Sequence, residues 1–133
     1  MNTFFYGCSY REDPVKAKIF PFMMSKKTDS ISFQDCRFGV QPSKEKTARI
    51  SLWKELRVAS VYTLEASFYG KQAGETKTHY SIQDLLDIGK NLMLNLRDYM
   101  WEEEEVGRQG VRSELALKKE SMIREIQERA EKE

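Results

Sequence analysis

Residues 81–99 read SIQDLLDIGKNLMLNLRDY, a stretch with helical periodicity. Its apolar side chains recur largely three and four positions apart, as on one face of an α-helix. Ser81 followed by Asp84 resembles a capping box with the shorter acid. The pattern predicts an amphipathic helix over 82–99 that packs on a sheet. Because Gly89 within it costs about 1 kcal/mol relative to alanine, we expect a close approach between helix and sheet there.

The first half of the chain contains short runs rich in β-branched and aromatic residues, separated by turn residues. The predicted strands are Thr3–Tyr6, Phe33–Val40, Thr47–Trp53 and Val61–Phe68. The predicted breaks are Pro14, Pro21, residues 26–30, residues 42–44 and residues 70–74. A further helical stretch with a thin apolar stripe begins at Ser113. These elements predict an α/β fold with part of a mixed sheet over 1–100 and a charged helical tail over 101–133.

Composition narrows the class of protein. The chain has 133 residues, enough for one domain, with 40% hydrophobic and 32% charged residues. The net charge of +1 argues against a nucleic-acid binder that neutralises phosphates. Residues 1–66 hold eleven basic and seven acidic side chains, a net charge of +4 that suits an anionic partner.

The sequence contains no run of ~18 apolar residues, as a membrane-spanning helix would need, and no leader peptide. We therefore expect a soluble, cytoplasmic protein that does not contact membranes. In that setting we expect Cys8 and Cys36 to be reduced and buried.

His79 is the only histidine of the chain, and this count excludes several kinds of catalytic site. No His-Glu-x-x-His, His-x-x-Glu or Cys-x-x-Cys metal site can be assembled from these residues. A Ser-His-Asp relay would have to use His79, which lies in a polar stretch, and no Gly-x-Ser-x-Gly motif accompanies it. A self-contained hydrolase is therefore not expected, and His79 is given no role.

Glu65 is the one carboxylate within the apolar and small-residue run Val61–Phe68. If Glu65 were buried there, low polarity would oppose its charged form and would suit it to general acid–base work near neutral pH. The alternative is an edge-strand glutamate that points to solvent. Residue types leave both open.

Ordered blocks of the sequence resemble one enzyme family. They are FYGCS at 5–9, FPFMMS at 20–25, SKEKTAR at 43–49 leading to WKE at 53–55, YTLEASF at 62–68, and the segment from His79 through Gly89. Together they resemble the cytosolic carboxypeptidases, zinc peptidases that trim C-terminal glutamates, notably from polyglutamylated tubulin. The resemblance covers roughly residues 2–99 and implies the C-terminal part of the catalytic domain.

By this resemblance Glu65 takes the place of the catalytic glutamate, which activates a zinc-bound water and passes its proton to the leaving amine. Arg49 takes the place of a basic residue that receives the acidic side chain of the substrate's terminal residue, a task that suits a guanidinium. Lys44 and Lys46 lie in the same basic segment and stay open as alternatives, as does a surface role for Arg49. The zinc ligands expected in the family are absent here, so they are expected from sequence upstream of this chain. We therefore expect the isolated chain to be inactive and its sheet to keep an unpaired edge.

Two functions remain open on these grounds. The first is a zinc-dependent carboxypeptidase acting in the cytoplasm, in association with microtubules, on acidic C-termini such as those of tubulin. The second is a non-catalytic module whose basic first half binds acidic C-terminal tails while the helix over 113–131 recruits a partner. Nucleic-acid binding is disfavoured, because Phe4, Tyr6 and Phe22 are better explained as core residues than as platforms for bases.

Overall fold

The computed structural model of the chain describes residues 2–73, 75–109 and 114–130. Within these ranges the predicted α/β class is confirmed, with four α-helices and two small antiparallel sheets. The strands are β1 (Thr3–Tyr6), β2 (Thr63–Ala66), β3 (Lys71–Ala73) and β4 (Thr76–Thr78). The helices are α1 (Lys16–Lys27), α2 (Ala48–Leu56), α3 (Ile82–Gln109) and α4 (Glu114–Ala130), and a 3₁₀ turn spans Pro42–Lys44.

Strand β1 makes backbone pairings with three other segments of the chain. It pairs antiparallel with β2, with Phe4 opposite Glu65 and Tyr6 opposite Thr63. Isolated parallel bridges join Thr3 to Ile31 and Tyr6 to Arg37. In the part of the chain that the structure describes, β2 pairs with β1 alone, so the edge of β2 away from β1 is open. Such an edge offers unpaired backbone groups to another chain.

The core lies between β1 and helix α1. Phe5 packs edge-to-face on Phe20, with ring centroids 5.9 Å apart, and Phe20 packs in the same way on Tyr99 at 5.6 Å. Because side chains alternate along a strand, Thr3 and Phe5 turn inward, and both are almost fully buried. Phe4 and Tyr6 therefore lie on the outer face of the sheet. This alternation separates the face that makes the core from the face that makes the site.

Helix α1 differs from the sequence prediction, which places a break at Pro21. Pro21 lies inside α1 and its side chain is fully buried. A proline within a helix removes one backbone hydrogen bond and costs about 3 kcal/mol. Burial of this ring, in a helix that also contributes Ile19, Phe20 and Met24 to the core, offsets that loss. The prediction of a break was therefore wrong because tertiary packing outweighs local propensity.

Two predicted strands are also wrong. Residues 48–53 of the predicted strand Thr47–Trp53 belong to α2. Thr47 precedes the first residue of the helix, and Arg57, in the left-handed conformation (φ 55°), follows the last. Only Ile50 of this helix is buried, so the spacing of Ile50 and Leu52 was misread as strand alternation. The run Phe33–Val40 contributes the bridge at Arg37 rather than a full strand. Conversely, β3 and β4 form a hairpin where only a turn was expected, entered through Gly70 at φ 98°.

Helix α3 begins with the capping box that the sequence predicts. The Ser81 hydroxyl accepts a hydrogen bond from the Asp84 backbone N–H (3.1 Å), and the Asp84 carboxylate accepts one from the Ser81 N–H (2.9 Å). The helix continues to Gln109, past the predicted end at 99. It packs on α1 rather than on a sheet, and Asn95 donates a hydrogen bond to the Phe20 carbonyl (3.1 Å).

The explanation proposed for Gly89 is wrong. Gly89 is exposed, and a Cβ added there would meet nothing within 4 Å. The close helix–sheet approach does not occur at Gly89, because α3 buries the face that carries Ile88 and Tyr99 and leaves Gly89 exposed.

Helix α4 lies close to the position predicted for the tail helix. Ile126 is 2% exposed, Met122 packs against the core, and Glu125 pairs with Lys26 at 2.7 Å. Helix α3 passes through residue 100 and continues to Gln109. The predicted boundary between a domain over 1–100 and a tail over 101–133 stays a prediction. Among residues 2–73, 75–109 and 114–130, no helix has both the length and the apolar character that crossing a bilayer requires.

Candidate functional site

A cavity of about 420 Å³ opens on the outer face of the β1–β2 sheet. Its floor is made by Phe4 and Tyr6 of β1 together with Thr63 and Glu65 of β2. These four residues share one face because Phe4 pairs with Glu65 and Tyr6 with Thr63. Residues from the loop before α2 and from α2 itself complete the wall: Arg37, Gly39, Gln41, Lys44, Thr47 and Arg49.

Glu65 is exposed, so the buried position, one of the two that the sequence left open, is not the one it occupies. The physical reason is the register of the sheet, which puts Glu65 on the face opposite the one that packs on α1. The alternative, an edge-strand glutamate open to solvent, describes its position better. The carboxylate nevertheless lines a concave surface rather than a convex one, because Glu65 is one of the residues around the cavity.

Arg49 reaches the same cavity from the first turn of α2, not from a strand as predicted. Its Nη1 donates hydrogen bonds to the Gly7 carbonyl oxygen (2.6 Å) and to Cys8 Sγ (3.1 Å). Its guanidinium carbon lies 5.8 Å from the centroid of the Tyr6 ring, within the range of a cation–π interaction. The helix therefore brings Arg49 to the end of β1, and the structure places both predicted site residues at one cavity.

The cavity carries an excess of positive charge. Arg37, Lys44 and Arg49 line it together with a single carboxylate, that of Glu65. Among the ion pairs that join described residues, none involves Arg37, Lys44, Arg49 or Glu65. An acidic ligand would therefore meet cations whose charges are not already neutralised by a protein carboxylate.

Sequence reasoning missed Arg37 as a residue of this site. Arg37 lies in a run expected to be a strand, and its bridge to Tyr6 is what carries it to the cavity. Its Nη1 donates to the Gln34 and Cys36 carbonyl oxygens (2.7 and 2.9 Å). A pairing of Phe33–Val40 with β1, had it been predicted, would have placed Arg37 beside Tyr6.

Both cysteines are free and buried, as expected. Burial raises the pKa of the Cys8 thiol, and the nearby Arg49 guanidinium opposes that shift only in part. Burial also raises the pKa of Cys36 to about 11. Both groups are therefore neutral thiols near pH 7.

In the part of the chain that the structure describes, no group of three His, Cys, Asp or Glu side chains could hold a metal ion. These residues therefore do not fit a zinc ion on their own. His79, the single histidine, is exposed in the loop before α3 and does not line the cavity.

Comparison with known proteins gives one consistent result. No family model matches the chain. Cytosolic carboxypeptidase 2 of Xenopus tropicalis is 42% identical over 103 residues, or 74% of this chain. Cytosolic carboxypeptidase 3 of Bos taurus is 39% identical over 105 residues, and cytosolic carboxypeptidase 1 of Danio rerio is 29% identical over 111. The chain spans about 10% of the length of each of these relatives.

Proposed function

Since this chain belongs with the cytosolic carboxypeptidases over 74% of its length, we propose that it supplies part of the active site of such an enzyme. The enzyme is a zinc-dependent carboxypeptidase that removes C-terminal glutamates from acidic protein tails, such as those of polyglutamylated tubulin. This chain is the C-terminal part of its catalytic domain, within a carboxypeptidase fold. The relatives are named as cytosolic, which supports a cytoplasmic location, and tubulin as the substrate would bring the enzyme to microtubules.

One observation carries the proposal: Glu65 and Arg49 line the same positively charged cavity. They come from different elements, β2 and α2, and lie sixteen residues apart. The register of β1 and β2 and the hydrogen bond from Arg49 to Gly7 bring them together. A carboxylate beside a fork-shaped cation suits a peptide with an acidic terminal residue.

In this proposal Arg49 binds the acidic side chain of the terminal residue through its guanidinium. Glu65 is the general base that takes a proton from the attacking water and then gives it to the leaving amine. The exposure of Glu65 lets water reach it in this chain. The zinc ligands are proposed to lie in sequence upstream, since the described residues hold no suitable group.

The test is a chimaera in which residues 2–99 replace the matching segment of the Xenopus tropicalis relative. The chimaera is expected to release glutamate from a peptide that ends in four glutamates. Glu65→Gln is expected to lower kcat by about a hundredfold or more, since general bases contribute roughly 10²–10⁴ to rates, with little change in KM. Arg49→Ala is expected to raise KM for this peptide and to spare a peptide that ends in glutamine.

The matched control for Glu65→Gln is Glu55→Gln, which removes an exposed carboxylate at the end of α2 that does not line the cavity. Its activity should equal that of the unaltered chimaera. Full activity of the Glu65→Gln chimaera would remove the proposed base, and an unchanged preference for acidic ends after Arg49→Ala would remove the proposed specificity residue.

The excess of cations over carboxylates in the cavity also fits a second function, a non-catalytic module that binds acidic C-terminal tails. The chimaera separates the two. Tight binding of the acidic peptide with no glutamate released, by a chimaera that retains its metal, would favour the binding module.

A further inference from the structure

Three consecutive residues at the end of β1 hold the side chain of Arg49. Its Nη1 donates to the Gly7 carbonyl oxygen at 2.6 Å and to Cys8 Sγ at 3.1 Å. The Tyr6 ring lies 5.8 Å from the guanidinium carbon. The guanidinium is therefore fixed from one side by contacts that come from more than forty residues away in sequence.

The segment that holds Arg49 is itself held firmly. The Gly7 N–H donates to the Arg37 carbonyl oxygen at 2.8 Å, and the Ser9 N–H donates to the Phe38 carbonyl oxygen at 3.1 Å. Cys8 is completely buried between these two bonds. A free arginine side chain would lose up to about 2 kcal/mol of rotamer entropy on binding a ligand. An arginine that is already held loses less at that moment, which favours binding.

The groups that hold Arg49 carry no negative charge. The Gly7 carbonyl and the Tyr6 ring are neutral, and the Cys8 thiol is neutral near pH 7 because burial raises its pKa. A carboxylate at the same place would fix the guanidinium equally well, but it would also neutralise the charge that an acidic ligand needs. These contacts therefore orient the Arg49 guanidinium without neutralising its positive charge.

We propose that Cys8 is a positioning residue, which together with the Gly7 carbonyl fixes the Arg49 guanidinium and so sets the preference of the cavity for acidic over neutral peptide ends. This proposal rests on the proposed function, because it takes from it the role of Arg49. It adds a specificity determinant that touches no ligand and acts through Arg49 alone.

The test measures binding of a tetraglutamate peptide with a free C-terminus to the full chain by calorimetry, with tetraglutamine as the neutral probe. Cys8→Ala removes the acceptor and is expected to weaken tetraglutamate binding about two- to tenfold, the effect of one ordinary hydrogen bond. Cys8→Ser restores an acceptor of similar size and is expected to bind within about twofold of the unaltered chain. Binding of tetraglutamine should not change in either variant.

The matched control is Cys36→Ala, which also removes a buried thiol from the core but does not line the cavity. Its affinity for tetraglutamate should equal that of the unaltered chain, even if its stability falls. A loss of affinity in Cys36→Ala as large as in Cys8→Ala would mean that general destabilisation, not positioning, weakens binding.

A second measurement does not depend on the folding of Cys8→Ala. The side-chain Nε–H signal of Arg49 in a ¹⁵N NMR spectrum should show a rigid guanidinium in the unaltered chain before any peptide is added. A mobile Arg49 in the free chain would overturn the proposal.

The outcomes separate this proposal from the proposed function. If Arg49→Ala loses tetraglutamate binding while a folded Cys8→Ala keeps it, positioning by Cys8 is wrong and the role of Arg49 stands. If Arg49→Ala itself binds tetraglutamate as tightly as the unaltered chain, the role of Arg49 fails and positioning by Cys8 fails with it.

Discussion

Gly7 stands where the end of β1 passes between two aromatic rings. A Cβ at this position would lie 2.7 Å from Cδ1 of Phe38 and 3.3 Å from Cδ1 of Tyr62. The distance to Phe38 is shorter than the van der Waals contact of two carbon atoms, so the Phe38 ring would have to move. Gly7 also supplies the carbonyl oxygen that accepts a hydrogen bond from Arg49. The packing of the two rings and the position of Arg49 therefore both depend on Gly7.

Gly7→Ala should destabilise the chain by about 1–3 kcal/mol, the usual effect of overpacking. Urea unfolding followed by circular dichroism measures the change. Gly39→Ala is the matched control: a Cβ there would meet nothing within 4 Å, so we expect a change within about 0.5 kcal/mol. Equal free energies of unfolding for the Gly7→Ala and Gly39→Ala variants would contradict this expectation, because they would show that the Phe38 ring can move without destabilising the fold.

At the scale of residues, the sequence indicates two side chains that line one cavity but leaves open whether one of them, Glu65, is buried or exposed. Glu65 and Arg49 meet at one cavity, although their roles stay predictions. The exposure of Glu65 could not be predicted, because which face of β2 turns outward depends on where α1 packs. Arg37 was missed for a related reason, since only its bridge to Tyr6 brings it near.

Among the elements, α3 has the best-defined start. Asp84 accepts hydrogen bonds from the Ser81 N–H and hydroxyl and from the Lys71 ammonium group. Lys71 first, and Ser81 after it, lower the pKa of Asp84 to about 2. One carboxylate therefore caps the helix and ties it to the β3–β4 hairpin.

This lowered pKa predicts a loss of stability in acid. A carboxylate whose pKa is lower in the folded than in the unfolded chain stabilises the fold above its unfolded value of 3.8, and this contribution disappears as the pH falls toward about 2. Thermal unfolding between pH 5 and pH 2 should show a falling Tm. Asp84→Ala should have a lower Tm at pH 5 and a shallower fall, not a flat one, because Lys27 also lowers the pKa of Asp98.

The control is Asp87→Ala, which removes an exposed carboxylate of the same helix without a cation partner among the described ion pairs. Its Tm should fall with pH as steeply as that of the unaltered chain. A slope for Asp84→Ala identical to the unaltered one would show that the Asp84 contacts do not stabilise the fold.

An element can be predicted from sequence when neighbouring residues determine it, and not when packing against distant residues does. The capping box of α3 is encoded within four residues, and its start was predicted to the residue. Helix α1 depends on the burial of Pro21 by distant residues, which no local pattern reveals. Helix α2 buries only Ile50, so it lacks the apolar stripe that marks a helix in sequence.

On the scale of the whole molecule, α3 carries more apolar surface than the described residues cover. One stripe, with Ile88 and Tyr99, is buried, and Tyr99 packs on Phe20 of α1. A second stripe stays exposed; it consists of Ile82, Leu85, Leu86, Met93, Leu96 and Met100. The helix was predicted to pack on a sheet, and the second stripe is the part of that pattern that finds no partner among the described residues. Exposed apolar patches of this kind promote association.

We therefore expect the purified chain to self-associate as its concentration rises, and Met93→Glu to reduce this. Met93 is 60% exposed, so its replacement should leave the Tm nearly unchanged. Leu92→Glu is the contrasting variant, because Leu92 packs against the core and its replacement should destabilise the fold by several kcal/mol. Sedimentation velocity provides the measurement. A chain that stays monomeric at every concentration would contradict this expectation.

Binding of one acidic ligand by Glu65 and Arg49 in one cavity can be measured directly by titrating the ¹⁵N-labelled chain with tetraglutamate and following backbone amide shifts. If both residues bind it, saturable shifts are expected at Tyr6, Arg37, Lys44, Arg49 and Glu65, with much smaller ones for tetraglutamine. Shifts that do not saturate, that avoid this cavity, or that are equal for both peptides would contradict it.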